Sequence, residues 1–83
     1  MTEESIRLLK SLADQTRFNI IKSLLKKEKT VSQIVKEGGK AQPTISLHLK
    51  LLQLNDIITS RKQGKFIFYR IKNQNVRKII KIL

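Results

Sequence analysis

Five residues in one short stretch have the types and spacing to meet nucleic-acid bases: Gln42, Thr44, Ser46, Leu47 and Lys50. They supply an amide, two hydroxyls, an aliphatic contact and a cation. Such groups can hydrogen-bond base edges, touch thymine methyls and enter a major groove without steric conflict. Between them Ile45, Leu49 and Leu52 recur at i, i+4 and i+7, so the same helix can turn its other side to a core. Gln42 suits bidentate pairing with adenine or a bridge between two bases. Lys40 and Lys50 flank the face and can meet phosphates. Ser32 and Gln33, early in the preceding helix, can donate to the backbone. An ordinary solvated helix face has a similar composition, so the surrounding chain must decide between the two readings.

The charge favours a polyanion. The chain has 83 residues with 18 Lys and Arg against 6 Asp and Glu, a formal net charge of +12, and its basic residues are spread along its length. This balance points to nucleic acid ahead of a membrane surface. The length allows one domain, and small domains often recruit a second subunit. The absence of cysteine excludes disulfides, thiolate metal sites and thiol redox sensing. No apolar run is long enough to span a bilayer, and the acidic start Met1-Thr2-Glu3-Glu4-Ser5 does not resemble a signal peptide. The expected location is therefore the cytoplasm, whether prokaryotic and nucleoid-associated or that of a virus-infected host.

The elements that would position the face can be read from punctuation and period. Ile6, Leu9 and Leu12 define an apolar stripe on a first helix over residues 3–12. Asp14 can cap a second helix carrying Phe18, Ile21, Leu24 and Leu25 and running to about Lys27. Glu28-Lys29 reads as a polar break. Thr30 caps a brief third helix with Val31, Ile34 and Val35, and Gly38-Gly39 stops it. The fourth begins around Pro43, where a missing N–H costs nothing, and ends near Asn55-Asp56. The period then changes to two. Residues 58–62 and 66–71 read as strands with Gln63-Gly64 at their turn, and Ile67, Tyr69 and Ile71 share the inner side of the second strand. Val76, Ile79, Ile80 and Leu83 fall at helical spacing at the end. The fold class is mainly α with a small β-hairpin (α+β), in the order α-α-α-α-β-β-α. Two helices joined by a tight turn and followed by a hairpin make a winged helix-turn-helix.

Arg61, Lys62, Gln63 and Lys65 form the tip of that wing and can reach across the backbone into a minor groove. A basic tip also protects a sheet edge from aggregation. His48, beside Leu49 on the inner side of its helix, is expected to be a hydrogen-bonded core residue. Arg17 is expected to pair near a helix end and Tyr69 to join the core. With aromatics at 5%, the chain is expected to lack the surface rings used by single-strand binders. Catalysis has no candidate residues: the acids are scattered, and no Ser-His-Asp set, Cys-His set or phosphate-binding glycine loop is present.

From Leu12 on, the chain resembles the ArsR/SmtB-type winged-helix transcriptional repressors. The resemblance rests on Leu12-Ala13-Asp14-Gln15-Thr16-Arg17, on the stretch from Gln42 to Leu52, and on the stretch from Arg61 to Ile71. It implies a homodimer that binds operator DNA through the fourth helix and the wing, with the first and last helices at the subunit contact. On this chain that contact would use Ile6, Leu9, Leu12, Val76, Ile79, Ile80 and Leu83. The family usually has Pro at position 15, Ser at 41 and Gly at 56, where this chain has Gln, Ala and Asp. Ala41 weakens the helix cap, and Asp56 would adopt a left-handed backbone, which Asp tolerates better than most residues. Metal-sensing members carry cysteines in the third helix, or His and acidic ligands in the last. This chain has no Cys and one His, too few for a zinc site, so no metal and no cofactor is expected.

The sequence is thus read as one domain, residues 1–83, with dimerisation helices at both ends. Its expected partners are double-stranded DNA and a second copy of itself, not a membrane. The expected function is a sequence-specific transcriptional regulator, a homodimeric repressor of a pseudo-palindromic operator, and not an enzyme. Two alternatives are a sequence-independent architectural DNA binder and a winged-helix protein-interaction module using Phe66 and Phe68.

Overall fold

A computed structural model describes residues 2–82. The order is α1 (Glu3–Leu12), α2 (Gln15–Lys26), β1 (Lys29–Thr30), α3 (Val31–Gly38), α4 (Gln42–Leu54), β2 (Ile58–Gln63), β3 (Phe66–Ile71) and α5 (Asn75–Ile82). The helix starts follow from their caps. Thr2 and Asp14 accept the backbone N–H groups of Ser5 and Arg17, and Thr30 with Gln33 forms a reciprocal capping box. The Asp14 carboxyl lies below its usual range, first because of the Arg17 N–H it accepts. Gly39 ends α3 at φ 68°, a left-handed conformation that glycine adopts without Cβ strain. Ala41 gives α4 no side-chain cap, and Asp56 has φ 58°.

The hairpin is part of a three-stranded antiparallel sheet in the order β1-β3-β2. Lys29 and Thr30 pair with Tyr69 and Phe68, so the expected polar break is an edge strand. Two residues carry no readable period, which is why the hairpin alone was visible in the sequence.

Ile20, Ile21 and Leu24 of α2, Ile34 of α3, Ile45, Leu49 and Leu52 of α4, and Ile57 and Ile58 form the core with Leu8, Leu12 and Val76. This corrects two expected interface positions: Leu12 and Val76 lie inside the protomer, Val76 with 0% exposure, and have little surface left for a partner. On α1 the core-facing pair is Leu8 and Leu12, which leaves Ile6 and Leu9 exposed. Ile79 and Ile80 are half-buried against the core, and Leu83 lies outside the described residues. Ile67 is also corrected: it is exposed beyond the core's edge, while Tyr69 and Ile71 on the same strand side are half-buried. Among the described residues no helix is long and apolar enough to cross a membrane.

Candidate nucleic-acid interface

The α4 helix is split lengthwise. Ile45, Leu49 and Leu52 are almost wholly buried, whereas Gln42, Thr44, Ser46, Leu47 and Lys50 are all exposed. Burying the three aliphatic side chains fixes the helix's rotation, since each is worth roughly 1.5–3 kcal/mol when fully buried. The rotation in turn fixes which groups point out. At its C-terminal end Gln53 donates to Ser60 Oγ at 3.2 Å, joining α4 to β2. The exposed aliphatic side continues beyond Leu47 to Leu51 and Leu54.

His48 is half-buried, and its Nδ1 faces Arg17 Nη1 at 3.5 Å. Arginine can only donate, so the ring nitrogen accepts. Arg17 also donates to the carbonyls of Ser11 at 3.2 Å and Lys10 at 3.5 Å, closing the end of α1. Arg17 therefore braces α1, α2 and α4 against one another.

Lys40, Ser32 and Gln33 are exposed beside the helix-turn-helix. Gln33 Oε1 accepts the Thr30 N–H at 2.9 Å, so this side chain is engaged in capping and keeps only its amide N–H groups for another acceptor. Beneath them lies a charged group the sequence reading missed. Lys29 is 4% exposed, with Nζ 2.6 Å from Glu37 Oε1 and 2.7 Å from Ser23 Oγ. Lys29, then Ser23, hold the Glu37 carboxyl below its usual range. The cluster fastens the last turn of α3, just before the Gly38-Gly39 turn, to α2 and β1. No periodicity marks it, because a lysine in a two-residue strand looks like any solvated cation.

On the wing, Lys62, Gln63 and Lys65 are exposed. Arg61 is not a free cation. Its guanidinium is paired with Glu28, with Nε 3.0 Å from Oε2, donates to Gln63 Oε1 at 2.6 Å, and lies 4.8 Å from the centre of the Phe68 ring. The pair holds the Glu28 carboxyl down and the Arg61 guanidinium up, and ties the wing to the α2–β1 loop. Phe66 is exposed and Phe68, on the same strand side, is half-buried, so the expectation of no surface rings is corrected at Phe66.

The electrostatics are one-sided. From Gly38 to Leu83 there is one acid, Asp56, against ten basic residues. Asp56 itself meets Lys72 at 3.2 Å. Neither α4 nor the wing hairpin holds a carboxylate, so nothing on either repels a phosphate backbone. Among the described residues no group of three His, Cys, Asp or Glu side chains could hold a metal ion, and a thiolate metal or metalloid centre does not fit a chain without cysteine.

Residues 14–60 match the family model described as bacterial regulatory protein, arsR family. An HTH-type transcriptional regulator of Methanocaldococcus jannaschii is 38% identical over 82 residues, covering 98% of this chain and 92% of the relative. The arsenical resistance operon repressor of Escherichia coli is 40% identical over 67 residues, or 80% of this chain. The chain spans 57% of that repressor's length and 58% of that of the Mycobacterium tuberculosis regulator KmtR. Among solved structures, the homodimeric winged helix-turn-helix DNA-binding domain Mb0332 of Mycobacterium bovis superposes with a TM-score of 0.85 at 26% identity. It covers 96% of this chain and 74% of that one. The buried and exposed sides of α4, the hairpin behind it and the match over more than half of its length together place this chain in the ArsR family of winged helix-turn-helix transcriptional regulators.

Proposed function

We propose that the protein is a homodimeric, sequence-reading transcriptional repressor that works in the cytoplasm by occupying an operator, without catalysis. The observation that carries this reading is the exposed side of α4: hydrogen-bonding groups, one leucine and a lysine, with no carboxylate, on a helix locked in rotation by its buried side. Gln42, Thr44, Ser46 and Leu47 read base edges, while Lys40, Lys50, Lys62 and Lys65 neutralise phosphates. Ser32 and Gln33 add backbone contacts. Gln63 completes the wing tip, and Arg61 positions it. Such an arrangement reads sequence on α4 and gains affinity mainly from the lysines.

The subunit contact uses Ile6 and Leu9 of α1 with Ile79 and Ile80 of α5, the apolar groups the core leaves open. Leu83 extends the same stripe in sequence. The homodimeric relative of known structure supports a two-fold assembly. In that assembly two α4 helices meet half-sites about one turn, ~34–36 Å, apart. The named E. coli repressor supports the sign of regulation.

Duplex-binding assays on an operator and its scrambled counterpart test the division of labour. Lys62→Ala and Lys65→Ala should weaken both duplexes and each lower the salt slope by about 0.9. Gln42→Ala and Thr44→Ala should narrow the gap between the duplexes, by roughly 1–3 kcal/mol for a bidentate contact. Equal losses on both duplexes from all four variants would refute the assignment. The net charge of +12 favours a second reading, a sequence-independent architectural binder, which requires a specificity ratio near one.

A further inference from the structure

We propose that the outward side of the wing is a stacking platform for single-stranded nucleic acid. The proposal shares Lys65 and Arg61 with the wing's duplex contact but rests on two rings, Phe66 and Phe68, that the duplex contact does not use.

Phe66 and Phe68 are two apart on β3 and so share one side of the sheet. Phe66 is 51% exposed, and the ring centres are 6.4 Å apart at an interplanar angle of 56°. Their cross-strand partners are Gln63 and Arg61. Each ring has a cation on it: Lys65 Nζ is 5.5 Å from the Phe66 centre, and Arg61 Cζ is 4.8 Å from that of Phe68. Arg70, one step further along, is exposed. Glu28 is the acid at this surface, and Arg61 already holds it.

A single exposed phenylalanine needs no explanation. Two rings side by side, each edged by a cation, on a sheet with no acid left unpaired, make a surface that is apolar and positively charged at once. Single-stranded nucleic acid has the complementary pair of features: base faces that stack on aromatics and phosphates that seek Lys and Arg. A ring spacing of 6.4 Å is nearly twice the ~3.4 Å rise of stacked bases. It therefore suits a strand whose bases are splayed, each on its own platform. Phe66 offers a half-exposed ring. The Arg61 guanidinium, backed by Phe68 and oriented by Glu28, offers a second flat surface. Duplex DNA cannot use either, because its base faces are occupied by their neighbours.

The test uses the full chain and a labelled oligothymidylate of about 15 nucleotides, within the range one small nucleic-acid-binding domain covers. An oligouridylate of equal length distinguishes RNA from DNA, and an unrelated duplex is the control. Phe66→Leu keeps an aliphatic side chain at this half-exposed position but removes the ring. It should weaken both single strands by about 5- to 150-fold, the loss of one stacked base. The duplex should change less than about twofold, and the salt slope should not move. Lys65→Ala should instead lower the slope by about 0.7. Phe66→Trp introduces the chain's one tryptophan, whose emission a stacked base should quench. The proposal is overturned if the wild type ignores both single strands at low salt. It is equally overturned by undiminished binding of Phe66→Leu, by a parallel loss on the duplex, or by unquenched tryptophan at saturation.

Discussion

Removing either partner of the Lys29–Glu37 pair should have unequal effects. The Lys29 side chain is 5% exposed and that of Glu37 47%. Glu37→Ala leaves an ammonium inside the protein with one neutral acceptor, Ser23 Oγ at 2.7 Å. Breaking a fully buried pair costs about 3–5 kcal/mol, but water can partly replace a half-exposed carboxylate. The loss is then close to that of one charge-assisted hydrogen bond, about 2 kcal/mol. Lys29→Met removes the cation and its desolvation cost, keeps the unbranched stem and returns Glu37 to water, so it should cost less than about 1 kcal/mol. In thermal unfolding at fixed protomer concentration, Glu37→Ala should lower Tm by about 8–16 °C and Lys29→Met by less than half of that. The pH dependence has a definite sign. The folded Glu37 carboxyl lies below the usual 4.5. Its contribution is therefore complete above that value and is lost as pH falls through the folded one. The wild-type and Glu37→Ala curves should diverge at neutral pH and converge well below pH 4.5. A Lys29→Met variant as unstable as Glu37→Ala, or a gap that persists in acid, would refute the reasoning.

Three other substitutions test separate links. Ala41→Ser supplies the missing cap of α4 at a residue already in extended geometry, φ −64° and ψ 149°, and should stabilise the protein by about 1 kcal/mol in urea unfolding. Gly39→Ala meets no atom within 4 Å, so its cost of about 1 kcal/mol should come from the left-handed backbone alone. Ile6→Glu should weaken the dimer in sedimentation equilibrium. Two lost copies per dimer, at about 1.5 kcal/mol each, give a rise in Kd of about 100-fold or more.

How much of this was legible in the sequence depended on the kind of signal. Caps and turns were readable because they act locally: Asp14, Thr30 and Gly39 each do what their side chains, or the lack of one, dictate within a few residues. The left-handed Asp56 and the missing cap at Ala41 were readable as departures from a family pattern. Faces were harder. The first helix has apolar residues at 6, 8, 9 and 12, and two helical stripes fit them, so spacing alone does not choose Leu8 over Ile6 and Leu9 as the core-facing side. Lys29 and the Arg61–Glu28 tie depend on partners 8 and 33 residues away, and spacing carries no trace of such pairings. Phe66 and Phe68 are legible as candidates for a protein contact, but a low aromatic content argues against single-strand binding only until their position on the strand is known.

The proposed function requires the exposed side of α4 to read duplex DNA from a two-fold assembly. Selection of bound duplexes from a random pool, followed by footprinting of the enriched sequence, tests it most directly. An enriched inverted repeat should emerge, its half-sites about one turn apart, with major-groove protection that Gln42→Ala weakens at particular bases. A pool that emerges unenriched from a chain still able to bind duplex, or one left unbound at low ionic strength, would contradict it.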